Sequence, residues 1–145
     1  MVQLSAQITF NYLSGTFNFP NRNRLKDFII KLFKKEGFKT GTINYIFCTD
    51  EYLLQINQQY LNHNTYTDII TFPLSEKNEP ISSDIFISTD RIKENAKTFN
   101  TSFQNELHRV IFHGILHLCG YKDKTKEQSA LMRQKEQHYL DLYFK

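Results

Sequence analysis

Between Thr101 and Gly120 the chain carries a helix-forming stretch that is apolar nearly all round its axis, with Leu107, Val110, Ile111, Phe112, Ile115 and Leu116 spread over most of its circumference. Such a helix has no side to offer to water, so the remaining elements must wrap it as the centre of one core. The 145 residues suit one core of that kind, because two independent cores would each be marginal. Thirteen Phe and eight Tyr supply large surfaces for burial and argue against disorder.

The flanking segments alternate between two periods. Ile8-Thr9-Phe10-Asn11-Tyr12 alternates apolar and polar residues as a half-buried strand does. Leu25, Phe28, Ile29, Leu32 and Phe33 then mark one helical face, closed at Gly37. Ile43 to Cys48 predicts a second strand, and Thr49 or Asp50 caps a helix with Leu53, Ile56 and Tyr60 on its inner side. Asp68 and Asp84 open a third and a fourth strand, Asp68–Phe72 and Asp84–Ser88, joined by a turn-rich hairpin connection. A helix follows from about Asp90. Thr101 with Gln104, and Thr125 with Gln128, form capping boxes for the central helix and for a last helix ending near Tyr143. The expectation is an α+β fold: a single domain over residues 1–145, about four strands in a mixed sheet, about five helices, and a metal site at the end of the central helix.

Composition excludes several classes. No apolar run approaches the roughly 18 residues of a membrane span. The first residues lack the basic segment and apolar run of a secretion signal, and Cys48 and Cys119 make no disulfide framework, so a cytoplasmic protein is expected. A net charge of +3 permits a nucleic-acid partner without arguing for one, and lysines such as Lys26, Lys34, Lys35 and Lys39 read as solvated surface.

Chemistry concentrates in Phe112–Asp123. His113 and His117 are four residues apart on a helix, hence about 40° apart on one face, and both imidazoles can address one ion. Gly120 stops the helix and lets the chain reverse, so that Asp123 returns to the same point. Two imidazoles, a carboxylate and an open position form the ligand set of a catalytic zinc site, and other divalent ions suit it as well. A bare His-x-x-x-His is more often a satisfied pair or a surface coincidence. The apolar helix around it, the glycine stop and the returning acid shift the balance toward metal. Peptidases of the His-Glu-x-x-His type place a glutamate base after the first histidine, and Gly114 stands there instead.

The segment His113-Gly-Ile-Leu-His117-Leu-Cys-Gly120-Tyr121 resembles the H-G-x-L-H-L-x-G-Y-D-H signature of the YbeY endoribonucleases, also called rRNA maturation factors. Leu61-Asn62, Thr67–Pro73, Ser83–Ser88 and Glu106-Leu107 are similar to further blocks of that family in the same order. The resemblance implies a cytoplasmic, zinc-dependent endoribonuclease holding one ion and cutting single-stranded RNA. It also implies roles in 16S rRNA 3′-end maturation and 70S ribosome quality control, with single-stranded rRNA and the ribosome or small-subunit proteins as partners and no membrane. His113 and His117 carry over as ligands, whereas the family's third histidine is replaced by Asp123.

A family arginine before the Thr-Asp block is missing, which leaves His63, Arg109, Lys122 and Lys124 as cations to offset phosphate charge. Glu106, almost two turns before His113, reaches the site or serves in an exposed ion pair. Asp68 and Asp84 read as structural, Cys119 as a buried thiol, and His108 and His138 as surface residues. Two other readings stand beside the nuclease: a ribosome-assembly factor with a structural metal, and a metal-dependent hydrolase of another substrate.

Overall fold

A computed structural model describes residues 5–62 and 67–145 of the chain. The elements run β1 (Gln7–Tyr12), α1 (Arg22–Lys35), β2 (Thr40–Cys48), α2 (Asp50–Leu61), β3 (Ile69–Pro73), β4 (Ile81–Ser88), α3 (Thr89–Thr98), α4 (Phe103–Leu118) and α5 (Lys126–Tyr143). The four strands form one sheet in the order β1-β2-β4-β3. β1, β2 and β4 are mutually parallel, while β3 returns antiparallel to β4 as the expected hairpin. Pro73 is tolerated because β3 is an edge strand, where a missing N–H costs no ladder bond.

Strand alternation sorts the two faces of the sheet. Ile43, Tyr45 and Phe47 of β2 and Ile85 and Ile87 of β4 are fully buried on one face. On the other face Cys48 and Ile70 meet Leu53 and Ile56 of α2 in a smaller cluster. Phe72 and Phe86 pack against that cluster, and beside them the face carries polar side chains. Asp84 sits in the middle of β4 rather than at its start, where it accepts from Asn44 Nδ2, and Asn44 in turn accepts from Thr9. Tyr60 is exposed rather than on the inner side of α2, and its ring lies edge-on to Phe72.

The all-round apolar helix is α4. It touches α1, α3, α5, β3 and β4, which cover all but the half-buried stripe of Arg109, His113 and His117. Leu107, Val110, Ile111, Phe112, Ile115 and Leu116 are at most 1% exposed. Each such side chain contributes about 1.5–3 kcal/mol of burial. The helix is capped by Ser102, whose side chain accepts from Asn105 N, one residue later than the capping box read from Thr101. The Thr125–Gln128 box is formed at the start of α5. No helix among the described residues is long and apolar enough to cross a membrane.

Candidate metal centre

The C-terminal end of α4 stops in a hydrogen-bonded reversal. Gly120 N donates to His117 O and Tyr121 N to Leu116 O, both at 3.0 Å, around Gly120 at φ 104°. A residue with a Cβ is strained at that angle, which is why a glycine stands there. The reversal is held from outside by Glu36 at the end of α1, which accepts from the hydroxyls of Tyr121 and Tyr139 and from Lys135 Nζ. Burial works to raise the Glu36 carboxyl, but these three donors hold it below the ordinary carboxylate value.

The result is convergence. Asp123 Oδ2 lies 3.4 Å from His113 Nε2 and 3.4 Å from His117 Nε2. Ligand atoms of the three residues all fall within 4.8 Å of one another, so the cluster could hold a metal ion. Two ligands about 2.1 Å from a tetrahedral ion stand about 3.4 Å apart, whereas an N–H···O hydrogen bond spans about 2.7–3.2 Å. The spacing of Asp123 from both imidazoles therefore suits an ion between them better than direct hydrogen bonds.

Both imidazoles are turned the required way by their other nitrogen. His117 Nδ1 donates to Tyr121 O at 2.9 Å, since a carbonyl can only accept. His113 Nδ1 meets Glu136 Oε2 at 2.5 Å. Burial works to raise the Glu136 carboxyl, but the hydrogen bond from His113 and the charge of Arg109 hold it below its ordinary value, so it too acts as an acceptor. Both Nε2 atoms are thereby left with lone pairs facing Asp123.

Arg109 and Glu106 are half-buried and buried respectively, not exposed partners. Arg109 Nε and Nη2 reach the two Glu106 oxygens at 2.9 and 2.5 Å, and Nη1 reaches Glu136 Oε1 at 2.9 Å. Burial opposes the Arg109 charge, but the two carboxylates push its pKa above the ordinary guanidinium value. Asp68 stands 4.0 Å from Arg109 and borders the cleft, and burial raises its carboxyl. Lys122 and Lys124 are exposed on the reversal loop, and His63 lies outside the described residues.

A cleft of about 1160 Å³ opens from His113, His117 and Asp123 past Asp68 and Thr71 to the β3–β4 turn at Lys77 and to Lys39. Gly114 faces the sheet. A Cβ on it would stand 2.8 Å from Ile69 Cδ1, so α4 approaches β3 through this glycine. A side chain at that position would press into the packing against β3.

Sequence reasoning missed Glu136 and Glu36. Glu136 left a signal: it falls in the inward stripe Met132, Glu136, Tyr139, Leu140 and Tyr143 of α5, as an acid among apolar residues. Glu36 left none. His108 also departs from its surface reading, since only 2% of it is exposed. It packs between Phe19, Phe112, Tyr143 and Phe144, a setting of rings far apart in sequence. His138 is exposed, and Cys119 is a half-buried free thiol whose pKa burial pushes up to about 12.

The family model described as endoribonuclease YbeY matches residues 13–143. An endoribonuclease YbeY of Flavobacterium johnsoniae is 49% identical over 136 residues, covering 94% of this chain and 96% of the relative. That of Cytophaga hutchinsonii is 48% identical over 126 residues, covering 87% and 88%. The solution structure of a Thermotoga maritima protein superposes with a TM-score of 0.64 at 28% identity, covering 95% of this chain and 89% of that one. With nearly its whole length matched by the family model and by curated relatives, the chain belongs to the YbeY endoribonuclease family.

Proposed function

We propose that residues 1–145 form a single metal-dependent endoribonuclease domain that hydrolyses phosphodiester bonds in single-stranded RNA. The reading includes cytoplasmic roles in 16S rRNA 3′-end maturation and 70S ribosome quality control, with the ribosome or its small-subunit proteins as partners. The observation that carries it is the meeting of His113 Nε2, His117 Nε2 and Asp123 Oδ2 at the mouth of a long cleft, in a chain of this family.

His113, His117 and Asp123 are the residues that would hold the ion, and the nitrogen-rich donor set favours zinc. When bound, such an ion supplies a water of lowered pKa and a Lewis acid for a phosphate oxygen. The chain does the rest. Glu136 and the Tyr121 carbonyl hold the two imidazoles in the ligating tautomer. Lys39 and Lys77, which line the cleft, are placed to attract an RNA backbone. Asp123 in place of a third histidine makes the centre harder and more negative.

The alternative of a ribosome-assembly factor with a structural metal draws on one observation: Arg109 is engaged by Glu106 and Glu136 rather than presented to a substrate. Zinc-loaded protein is expected to cut a single-stranded RNA, with cleavage lost in His113→Ala and in Asp123→Ala. Equal cleavage by all three proteins would defeat the metal-catalysis reading. Zinc uptake without cleavage would favour the assembly factor.

A further inference from the structure

Arg109 is the arginine next along the α4 stripe from His113, and an obvious candidate for the missing phosphate-binding cation. Its surroundings assign it differently. Three of its nitrogens are already engaged by carboxylates, two on Glu106 and one on Glu136. Glu106 is 1% exposed and Glu136 3% exposed. Releasing Arg109 to a phosphate would leave two buried carboxylates without their cation, which the low-dielectric interior strongly disfavours.

Glu136 divides its two oxygens: Oε1 accepts from Arg109 and Oε2 from His113 Nδ1. A carboxylate held at both ends cannot rotate, so the direction of the His113 ring is set from α5 and from Arg109, one turn earlier on α4. This rests on the metal reading above. We infer that Arg109 and Glu136 are positioning residues for the metal centre: Glu106 anchors Arg109, Arg109 orients Glu136, and Glu136 fixes His113 with its Nε2 lone pair on the ion.

The test separates this role from phosphate binding by Arg109. Zinc affinity is measured by competition with a chelator for the wild type, Glu136→Gln and Arg109→Lys. Both substitutions keep size or charge in the buried site, and thermal unfolding confirms that each variant is folded. Each is expected to bind zinc about 10–100-fold more weakly. The double variant should be little worse than the weaker single one, because the residues act in series. Binding of a single-stranded oligoribonucleotide to zinc-saturated Arg109→Lys should stay within about twofold of the wild type.

Long-range proton–nitrogen NMR of the zinc-loaded wild type should show a protected His113 Nδ1–H, shifted or exchange-broadened in Glu136→Gln. Wild-type zinc affinity in Glu136→Gln would overturn the inference. So would an Arg109→Lys protein that keeps its zinc affinity and loses RNA binding, since that is the behaviour of a phosphate ligand. A wild type that takes up no zinc would instead overturn the metal reading on which the inference rests.

Discussion

Two histidines five residues apart on α4 meet opposite fates. His108 lies in an aromatic pocket, its Nδ1 on the Gln104 carbonyl at 2.6 Å and its ring stacked on Tyr143. Its Nε2 is buried with no hydrogen-bond partner among the described residues. His113 lies at the cleft, its Nδ1 on a carboxylate and its Nε2 facing Asp123. Both are partly or wholly withdrawn from water on the same helix. What separates them is the partner: a carbonyl and aromatic rings make a neutral packing element, whereas a carboxylate held by an arginine makes an oriented donor of a lone pair.

Substitution of both histidines is the strongest way to break this comparison. His113→Phe should weaken zinc binding by more than about 100-fold, beyond the upper range for losing a partner of a ligand. His108→Phe should leave zinc affinity within about twofold. A similar loss from both, measured by chelator competition, would show that the two sites are not distinct. Stability should respond in the opposite sense. His108→Ala opens a cavity among Phe19, Phe112 and Tyr143 and is expected to cost about 2–4 kcal/mol in urea unfolding. His113→Ala, at the cleft surface, should cost less.

Acid should sharpen the contrast. Burial lowers the His108 pKa, so the folded protein holds this imidazole neutral while the unfolded chain protonates it near its ordinary value of about 6.5. Below that value the unfolded state binds the extra proton, and stability falls as pH falls, by at most about 1.4 kcal/mol per pH unit. Glu36 and Glu136 have lowered values, so their contributions are present above the ordinary carboxylate range and are lost at more acidic pH. Denaturant midpoints between about pH 7 and 5 should therefore decline less in His108→Phe than in the wild type. Parallel declines would contradict the burial argument.

The smallest effect is expected at Gly114, the residue after His113. Alanine there presses on Ile69 Cδ1, the mobile tip of a side chain, but gains about 1 kcal/mol of helix propensity. The two contributions should nearly cancel, leaving stability within about 0.5 kcal/mol by urea unfolding. A loss of several kcal/mol would mean that β3 cannot yield at this contact.

Much of the candidate metal centre was legible because its parts are local. The i, i+4 histidines, the glycine stop and the returning acid lie within residues 113–123, where helix geometry alone brings them together. The remaining parts were not legible, because they depend on which distant elements pack together. Glu136 reaches His113 from 23 positions away and Arg109 from 27, and Tyr121 finds Glu36 across 85. Periodicity marks Glu136 as inward-facing without saying which polar group it will meet.

What the sequence by itself determined was the central helix, the strands and hairpin around it, and a three-residue cluster at its end. Only the tertiary structure decided that Arg109 belongs to Glu106 and Glu136, that His108 is buried among rings, and that Gly114 faces β3. The physical reason is that local propensity and apolar pattern are set by near neighbours along the chain. The pairing of buried charges is set by packing, which brings together groups whose separation in sequence carries no signal.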